Sequence, residues 1–211
     1  MSVVVVTGSR GFIGQHLCRR LKAMGKDVYE VDHKVGVSCA SVLSIEDDVE
    51  RVYHLAAQTD ARSTDAVADA QNNIVASIRI FKKFGSRVVF TSSSMVNYPV
   101  TPYAISKKAC EYYADLYGCT VVRLPNVFGP GGHSFMDKCR ENREVTIYGG
   151  RQIRTWVHVY EAVDALISVR PGHLMMVKGF DLTVGQIAQI HGNTVTYEDA
   201  IEGDVVDGRQ I

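Results

Sequence analysis

Short apolar runs alternate with longer stretches of helical periodicity along most of the chain. The runs read as strands at residues 2–7, 27–31, 51–55, 87–91, 120–124 and 174–177. The first, third and fourth are rich in β-branched or aromatic residues without clean alternation, as strands covered on both faces should be. Between them, apolar residues recur at helical spacing over 14–24, 69–84, 102–117, 135–142, 160–169 and 184–191. Strand and helix in succession predict an α/β fold with a mostly parallel sheet. Glycine-rich breaks at 129–132 ("GPGG") and 148–151 ("YGGR") mark where a second, smaller region begins.

With 211 residues there is room for one large domain, or one domain with an appendage. Lys plus Arg equals Asp plus Glu at 23 each, and the longest like-charge run is Glu46, Asp47, Asp48. Such a balance predicts neither a nucleic-acid partner nor a membrane surface. The opening "SVVVV" is too short for a signal core and has no basic segment before it. No segment approaches the roughly 18 apolar residues of a span. The five cysteines are scattered and never spaced C-x-x-C, which predicts free thiols in a cytoplasmic protein. The seven histidines form no ligand spacing, so no metal is expected.

The first candidate chemistry lies in "VVVVTGSRGFIGQHL", which runs strand, glycine turn, helix with Gly8, Gly11 and Gly14 three apart. Glycines so placed allow a tight turn, backbone approach to a pyrophosphate, and close packing of helix on strand. The helix N-terminus offers unpaired N–H groups and partial positive charge, so Gly8, Arg10, Gly11, Phe12, Ile13 and Gly14 are the expected cradle. A second strand ends at Asp32, whose carboxylate suits the two ribose hydroxyls of an adenosine and repels a 2′-phosphate. NAD is therefore favoured over NADP, although Arg10, His33 and Lys34 place cations near the same spot. A Rossmann-type, doubly wound parallel sheet follows.

A second pattern is "TPYAISKK", residues 101–108. Thr101 suits an N-cap and Pro102 the first helical position, which puts Tyr103 and Lys107 on one face of the helix. By itself a Tyr-x-x-x-Lys is a common coincidence. Here it follows "VYHLAAQTD" (52–60), whose Leu55, Ala56 and Ala57 end a strand in small residues, then Asn73 in "NNIVAS", then "VVFTSSSMVNYP" (88–99). After it come "VVRLPNVFGPGG" (121–132) and "YGGRQIRTWVHVYEAVDA" (148–165). This succession resembles the extended short-chain dehydrogenase/reductase family, in its NAD-dependent nucleotide-sugar epimerase/dehydratase branch, over nearly the whole chain.

The resemblance implies that Tyr103 is the catalytic acid/base and that Lys107 assists it and holds the nicotinamide ribose. A phenol of pKa near 10 is a poor base at neutral pH, and a nearby ammonium with a positive nicotinamide is expected to lower it. The third catalytic member is a serine at the preceding strand's end, Ser93 with Ser94 as the alternative, both also facing substrate. Leu55, Ala56, Ala57 and Asn73 join the cofactor set, and Asn126 and Arg154 correspond to positions that hold the nucleotide-sugar diphosphate. The implied organisation is a cofactor core over 1–130, completed by about 156–178. A reduced substrate lobe over 131–155 and 179–211 accompanies it.

Departures from the family narrow the activity. Ser94 and Met95 stand where 4,6-dehydratases carry an acidic pair, which leaves elimination without its groups. An NAD-dependent epimerase acting through a transient keto-sugar is the reading that remains. A keto-sugar reductase of the epimerase-reductase type, with His133 as its only histidine candidate, stays open, as does a non-catalytic dinucleotide-binding regulator. Thr155 replaces an aspartate that commonly follows the arginine. Helices 69–84 and 102–117 correspond to those through which the family forms a homodimer.

Overall fold

The computed structural model describes residues 2–45, 48–60 and 64–199, so the part of the expected lobe beyond residue 199 lies outside the described residues. In chain order the main elements begin β1 (Val3–Thr7), α1 (Phe12–Ala23), β2 (Val28–Val31), β3 (Val49–His54), α2 (Ala66–Asp69), α3 (Ala76–Phe84), β4 (Val88–Ser93) and α4 (Pro102–Leu116). They continue β5 (Thr120–Leu124), β6 (Asn126–Phe128), α5 (Phe135–Glu141), β7 (Glu144–Tyr148), β8 (Ile153–His158) and α6 (Val159–Ser168). The last are β9 (Leu174–Met176), β10 (Phe180–Thr183), α7 (Val184–His191) and β11 (Thr194–Glu198). The fold divides into two units, Met1–Leu124 with Ala162–Met176, and Pro125–Glu161 with Val177–Ile211.

The first unit is built on a parallel six-stranded sheet in the order β2-β1-β3-β4-β5-β9. All six strands expected from the apolar runs are present. Every residue of β1 is buried, and Val5, Val31, Val52, Phe81 and Phe90 form the centre of its core. Because β1 lies between β2 and β3, the chain leaves β1 on one side and returns on the other. That reversal opens a crevice at the carboxyl ends of β1 and β3, where open α/β sheets take their ligands.

The helix expected at 69–84 begins at Ala66 and is not uniform. Residues Ala70–Val75 between α2 and α3 form a π-helical turn, a distortion that often accompanies functional positions. Helix α4 follows the capping expectation, with Thr101 Oγ1 accepting from the Ala104 N–H at 3.2 Å and Pro102 in the first turn. Tyr103 and Lys107 both face inward from it, while Ile105, Tyr112 and Leu116 are exposed.

In the second unit β8 pairs with β6 in parallel and with β10 antiparallel, and β7 pairs with β11 in parallel. Helices α5 and α7 each begin with a complete capping box, Ser134 with Asp137 and Thr183 with Gln186. They enclose a core of Met136, Cys139, Ile147, Ile187 and the only tryptophan, Trp156.

Candidate active site

The glycine turn after β1 is dictated by close approach of chain to chain. Gly8 has φ +70°, and a Cβ there would lie 2.8 Å from the Ala56 nitrogen at the end of β3. A side chain on Gly14 would overlap the carbonyl oxygen of Gly8. Only glycine lets α1 start this close to the strand. Gly11, the N-cap of α1, supplies no side-chain cap, and the first helical turn contains no acidic residue. The N–H groups at Phe12, Ile13 and Gly14 and the positive helix end therefore face the turn uncancelled, which fits a pyrophosphate. Ser9, buried inside the turn, has a hydroxyl with no partner among the described residues.

Asp32 is buried at the end of β2 and is held by two backbone donors. Its Oδ2 accepts from the Arg10 N–H and its Oδ1 from the Lys34 N–H, both at 3.0 Å. Each oxygen keeps a lone pair for a hydroxyl. The Arg10 guanidinium turns instead to Glu30, 3.1 Å away. Glu30 also meets Lys22 at 2.5 Å, so one of the cations competing for a 2′-phosphate is already engaged by a carboxylate.

Beyond β3, Leu55, Ala56 and Ala57 are half-buried, and the next residue, Gln58, is pinned by Asn73. Asn73 Oδ1 accepts from the Gln58 N–H at 2.8 Å, and its Nδ2 donates to the Gln58 carbonyl at 3.1 Å and to Ser106 Oγ at 2.9 Å. The π turn thus tethers the loop after β3 to α4, and Asn73 acts as a positioning residue for both.

The three serines at the end of β4 separate by role. Ser92 Oγ donates to Glu111 at 2.6 Å, and Glu111 is also clamped by Arg123 through two bonds of 2.8 and 2.7 Å. Ser93 lies within hydrogen-bonding reach of the Tyr103 hydroxyl and accepts from the Met95 N–H at 3.2 Å. Ser94 is half-buried and opens the short helical turn that follows.

Lys107 is buried, its Nζ donating to the Thr91 carbonyl at 2.9 Å and lying 4.7 Å from the centre of the Phe90 ring. Burial pulls its pKa down to about 8. The Tyr103 phenol moves the other way: burial pushes it above its ordinary value, the Ser93 hydrogen bond pulls it down, and the charge of Asp69 raises it. The expectation that Lys107 lowers Tyr103 is not met in the free chain, because the ammonium is directed to a carbonyl and desolvation dominates the phenol.

One buried polar line was not foreseen. His54 bonds Thr7 Oγ1 through Nδ1 at 2.7 Å and Ser77 Oγ through Nε2 at 2.9 Å, and Thr7 Oγ1 also accepts from the Ala56 N–H at 3.2 Å. This line ties the ends of β1 and β3 together below the glycine turn.

In the second unit Asn126 on β6 donates to the Thr155 carbonyl at 3.2 Å and so cross-links β6 to β8. Arg154 on β8 is half-buried, with Nη1 donating to the Ile153 carbonyl at 3.3 Å. Thr155 donates through Oγ1 to Asp181 of β10 at 2.7 Å, so a carboxylate sits beside this strand although the strand itself lacks one. His133 is exposed in its loop.

Residues 4–172 match the model of the NAD dependent epimerase/dehydratase family. A putative UDP-glucose 4-epimerase of Methanocaldococcus jannaschii is 28% identical over 77% of this chain and 72% of its own length. A UDP-glucose 4-epimerase of Mycolicibacterium smegmatis is 27% identical over 77% and 71%. Among solved structures, MoeE5 in complex with UDP-glucuronic acid and NAD superposes with a TM-score of 0.87 at 26% identity, covering 98% of this chain and 88% of that one.

Proposed function

We infer, because the chain belongs to the NAD dependent epimerase/dehydratase family, that it is an NAD-dependent epimerase of a nucleoside-diphosphate sugar, working through a transient keto-sugar. The observation that carries this reading is the buried Tyr103 hydroxyl beside Ser93, one helical turn from Lys107, with no acidic pair after the serine. Relatives named as UDP-glucose 4-epimerases and a structural neighbour holding NAD support it.

The residues of the glycine turn suit NAD, which when bound supplies reversible acceptance of hydride. Gly8, Gly11, Phe12, Ile13 and Gly14 would hold its pyrophosphate, Asp32 would hold its adenosine ribose, and Leu55, Ala56 and Ala57 would line the crevice beside it. Tyr103 Oη carries the proton exchanged with the sugar hydroxyl, and Ser93 Oγ orients that hydroxyl. Lys107, anchored by the Thr91 carbonyl, is assigned to the nicotinamide ribose. Asn126 and Arg154 are assigned to the sugar's diphosphate, where a planar guanidinium suits phosphate oxygens.

NAD is preferred to NADP in this reading because Asp32, buried at the end of β2, would repel a 2′-phosphate and the Arg10 side chain is engaged by Glu30. Asp32→Ala is expected to cost about 1.5–3 kcal/mol of NAD affinity, a charge-assisted hydrogen bond's worth, and to narrow the preference. Calorimetric titration with both dinucleotides measures this. A wild-type chain that binds NADP more tightly would return the reductase reading to first place.

The activity is tested by incubating purified protein and NAD with UDP-, GDP-, dTDP- and CDP-sugars and resolving the products. An epimeric nucleotide sugar without net accumulation of reduced nicotinamide is the expected result, with UDP-sugars accepted first. Stoichiometric nicotinamide turnover would mark a reductase. Binding without any turnover would leave a dinucleotide-binding regulator.

A further inference from the structure

We propose that Glu111 and Arg123 are positioning residues of the active site, their ion pair holding the segment that carries Ser93 against the helix that carries Tyr103 and Lys107. The inference rests on the proposed function and deepens it, since it says what sets the serine beside the tyrosine. Ser92 and Arg123 are register partners on β4 and β5, so their side chains leave the sheet on one face. There Glu111, on α4, meets both. Its Oε1 accepts from Ser92 Oγ at 2.6 Å and from Arg123 Nε at 2.8 Å, and its Oε2 accepts from Arg123 Nη2 at 2.7 Å. The remaining arm of the guanidinium, Nη1, donates to Asn97 Oδ1 at 3.2 Å.

These bonds bracket Ser93. Ser92 precedes it, and Asn97 ends the short helical turn of 94–97 that Ser93 caps. Glu111 lies one turn beyond Lys107 and two beyond Tyr103 on the same helix. Sliding of α4 along β4 would therefore break the clamp as it parted Tyr103 from Ser93. The choice of groups points the same way. A buried ion pair adds little stability over apolar side chains of similar size. What it supplies is direction, because a guanidinium fork fixes both the distance and the plane of the carboxylate it holds. The Glu111 and Arg123 side chains are only 6% and 15% exposed, so little water competes for these bonds.

The test uses Arg123→Lys and Asn97→Ala, each alone and combined with Ser93→Ala. Steady-state rates are measured with NAD and the fastest substrate among the UDP-, GDP-, dTDP- and CDP-sugars, beside thermal unfolding and NAD titration. Arg123→Lys keeps a cation against Glu111, and Lys108 lies 3.9 Å away as a second, so the carboxylate stays compensated while the fork is lost. Its kcat should fall ~10-fold with NAD affinity unchanged, since a misplacement of about 1 Å costs up to about 100-fold. Asn97→Ala removes one exposed bond, should show a smaller fall, and keeps the test open should Arg123→Lys fail to fold. In the Ser93→Ala background neither substitution should lower kcat by more than about twofold, because the clamp acts through that serine. An equal fall in both backgrounds overturns the assignment, because a residue that only supports the fold adds its effect whether or not Ser93 is present. Wild-type kcat in both single variants overturns it too. A wild type that binds NAD but turns over no nucleotide sugar fails differently, by overturning the proposed function and the positioning role with it.

Discussion

Tyr103→Phe is expected to lower kcat by about a hundred- to ten thousand-fold while leaving NAD affinity nearly unchanged. The substitution removes one oxygen. In the proposed mechanism that oxygen passes the proton to the sugar hydroxyl, and positioned acid/base groups contribute rates of about this size. The ring stays, so the packing of α4 is kept. The lost contact is a single hydrogen bond with Ser93, worth about 1 kcal/mol. The effect should fall on kcat and kcat/KM together, the signature of an interaction made in the transition state. Ser93→Ala should act in the same direction and more weakly, since in the proposed mechanism Ser93 orients the hydroxyl and does not transfer its proton. Steady-state rates and NAD titrations on the two variants decide the matter: full turnover in Tyr103→Phe would remove Tyr103 from the mechanism.

The free chain gives this phenol a different setting from the one the sequence suggests. With burial and the charge of Asp69 raising its pKa, Tyr103 is held protonated, ready to donate. Lys107, brought to about 8 by burial, is the group of the pair that titrates nearer neutrality. In the proposed mechanism, accepting a proton on Tyr103 would require added positive charge, which the oxidised nicotinamide would supply. Direction of catalysis would then follow the charge of the cofactor.

What was legible in the sequence was local in the chain. The glycine turn, Asp32, Thr101 with Pro102, and the spacing of Tyr103 and Lys107 each depend on residues a few positions apart, and helical or strand periodicity is enough to place them. The assignment within "SSS" needed the fold, because Ser92 and Ser93 meet different residues of α4, Glu111 and Tyr103. The pairing of Glu111 with Arg123 likewise joins α4 to β5 and has no spacing signature. In the second unit, "EVTIY" and "IRTWVH" form strands that the apolar runs did not single out, because they lie in a glycine-broken region and their polar residues interrupt any run. Strands β6 and β10, three and four residues long after a proline and a glycine, were not legible either. Asp69 and His54 offered only one signal each, a polar residue inside a segment whose period otherwise demands an apolar one. The π turn, which carries Asn73, leaves no composition mark at all.

His54 carries the second large effect, an acid limb in the stability of the fold. The imidazole is buried between Phe81 and Phe90, with ring centres 6.0 and 5.9 Å away, and its pKa is lowered to about 3 by burial first and by the charge of Lys107 second. In the unfolded chain the same group has its ordinary value of 6.5. Between those values the unfolded state binds the additional proton, so stability is complete above about pH 6.5 and is lost as pH falls toward 3. One proton changes the unfolding free energy by about 1.4 kcal/mol per pH unit, so the whole window removes about 5 kcal/mol, a large part of a typical domain's stability. His54→Gln should be less stable than wild type at pH 7, where it loses the fitted Thr7 and Ser77 bonds, yet lose less on acidification. Denaturant unfolding between pH 7 and pH 4 should therefore show the two curves converging. Other carboxylates add to the acid limb in both proteins and cancel in the comparison. Parallel curves would mean that His54 takes no part in proton-linked unfolding. Convergence would show that the ends of β1 and β3, and with them the glycine turn, are held together by a histidine that must stay neutral.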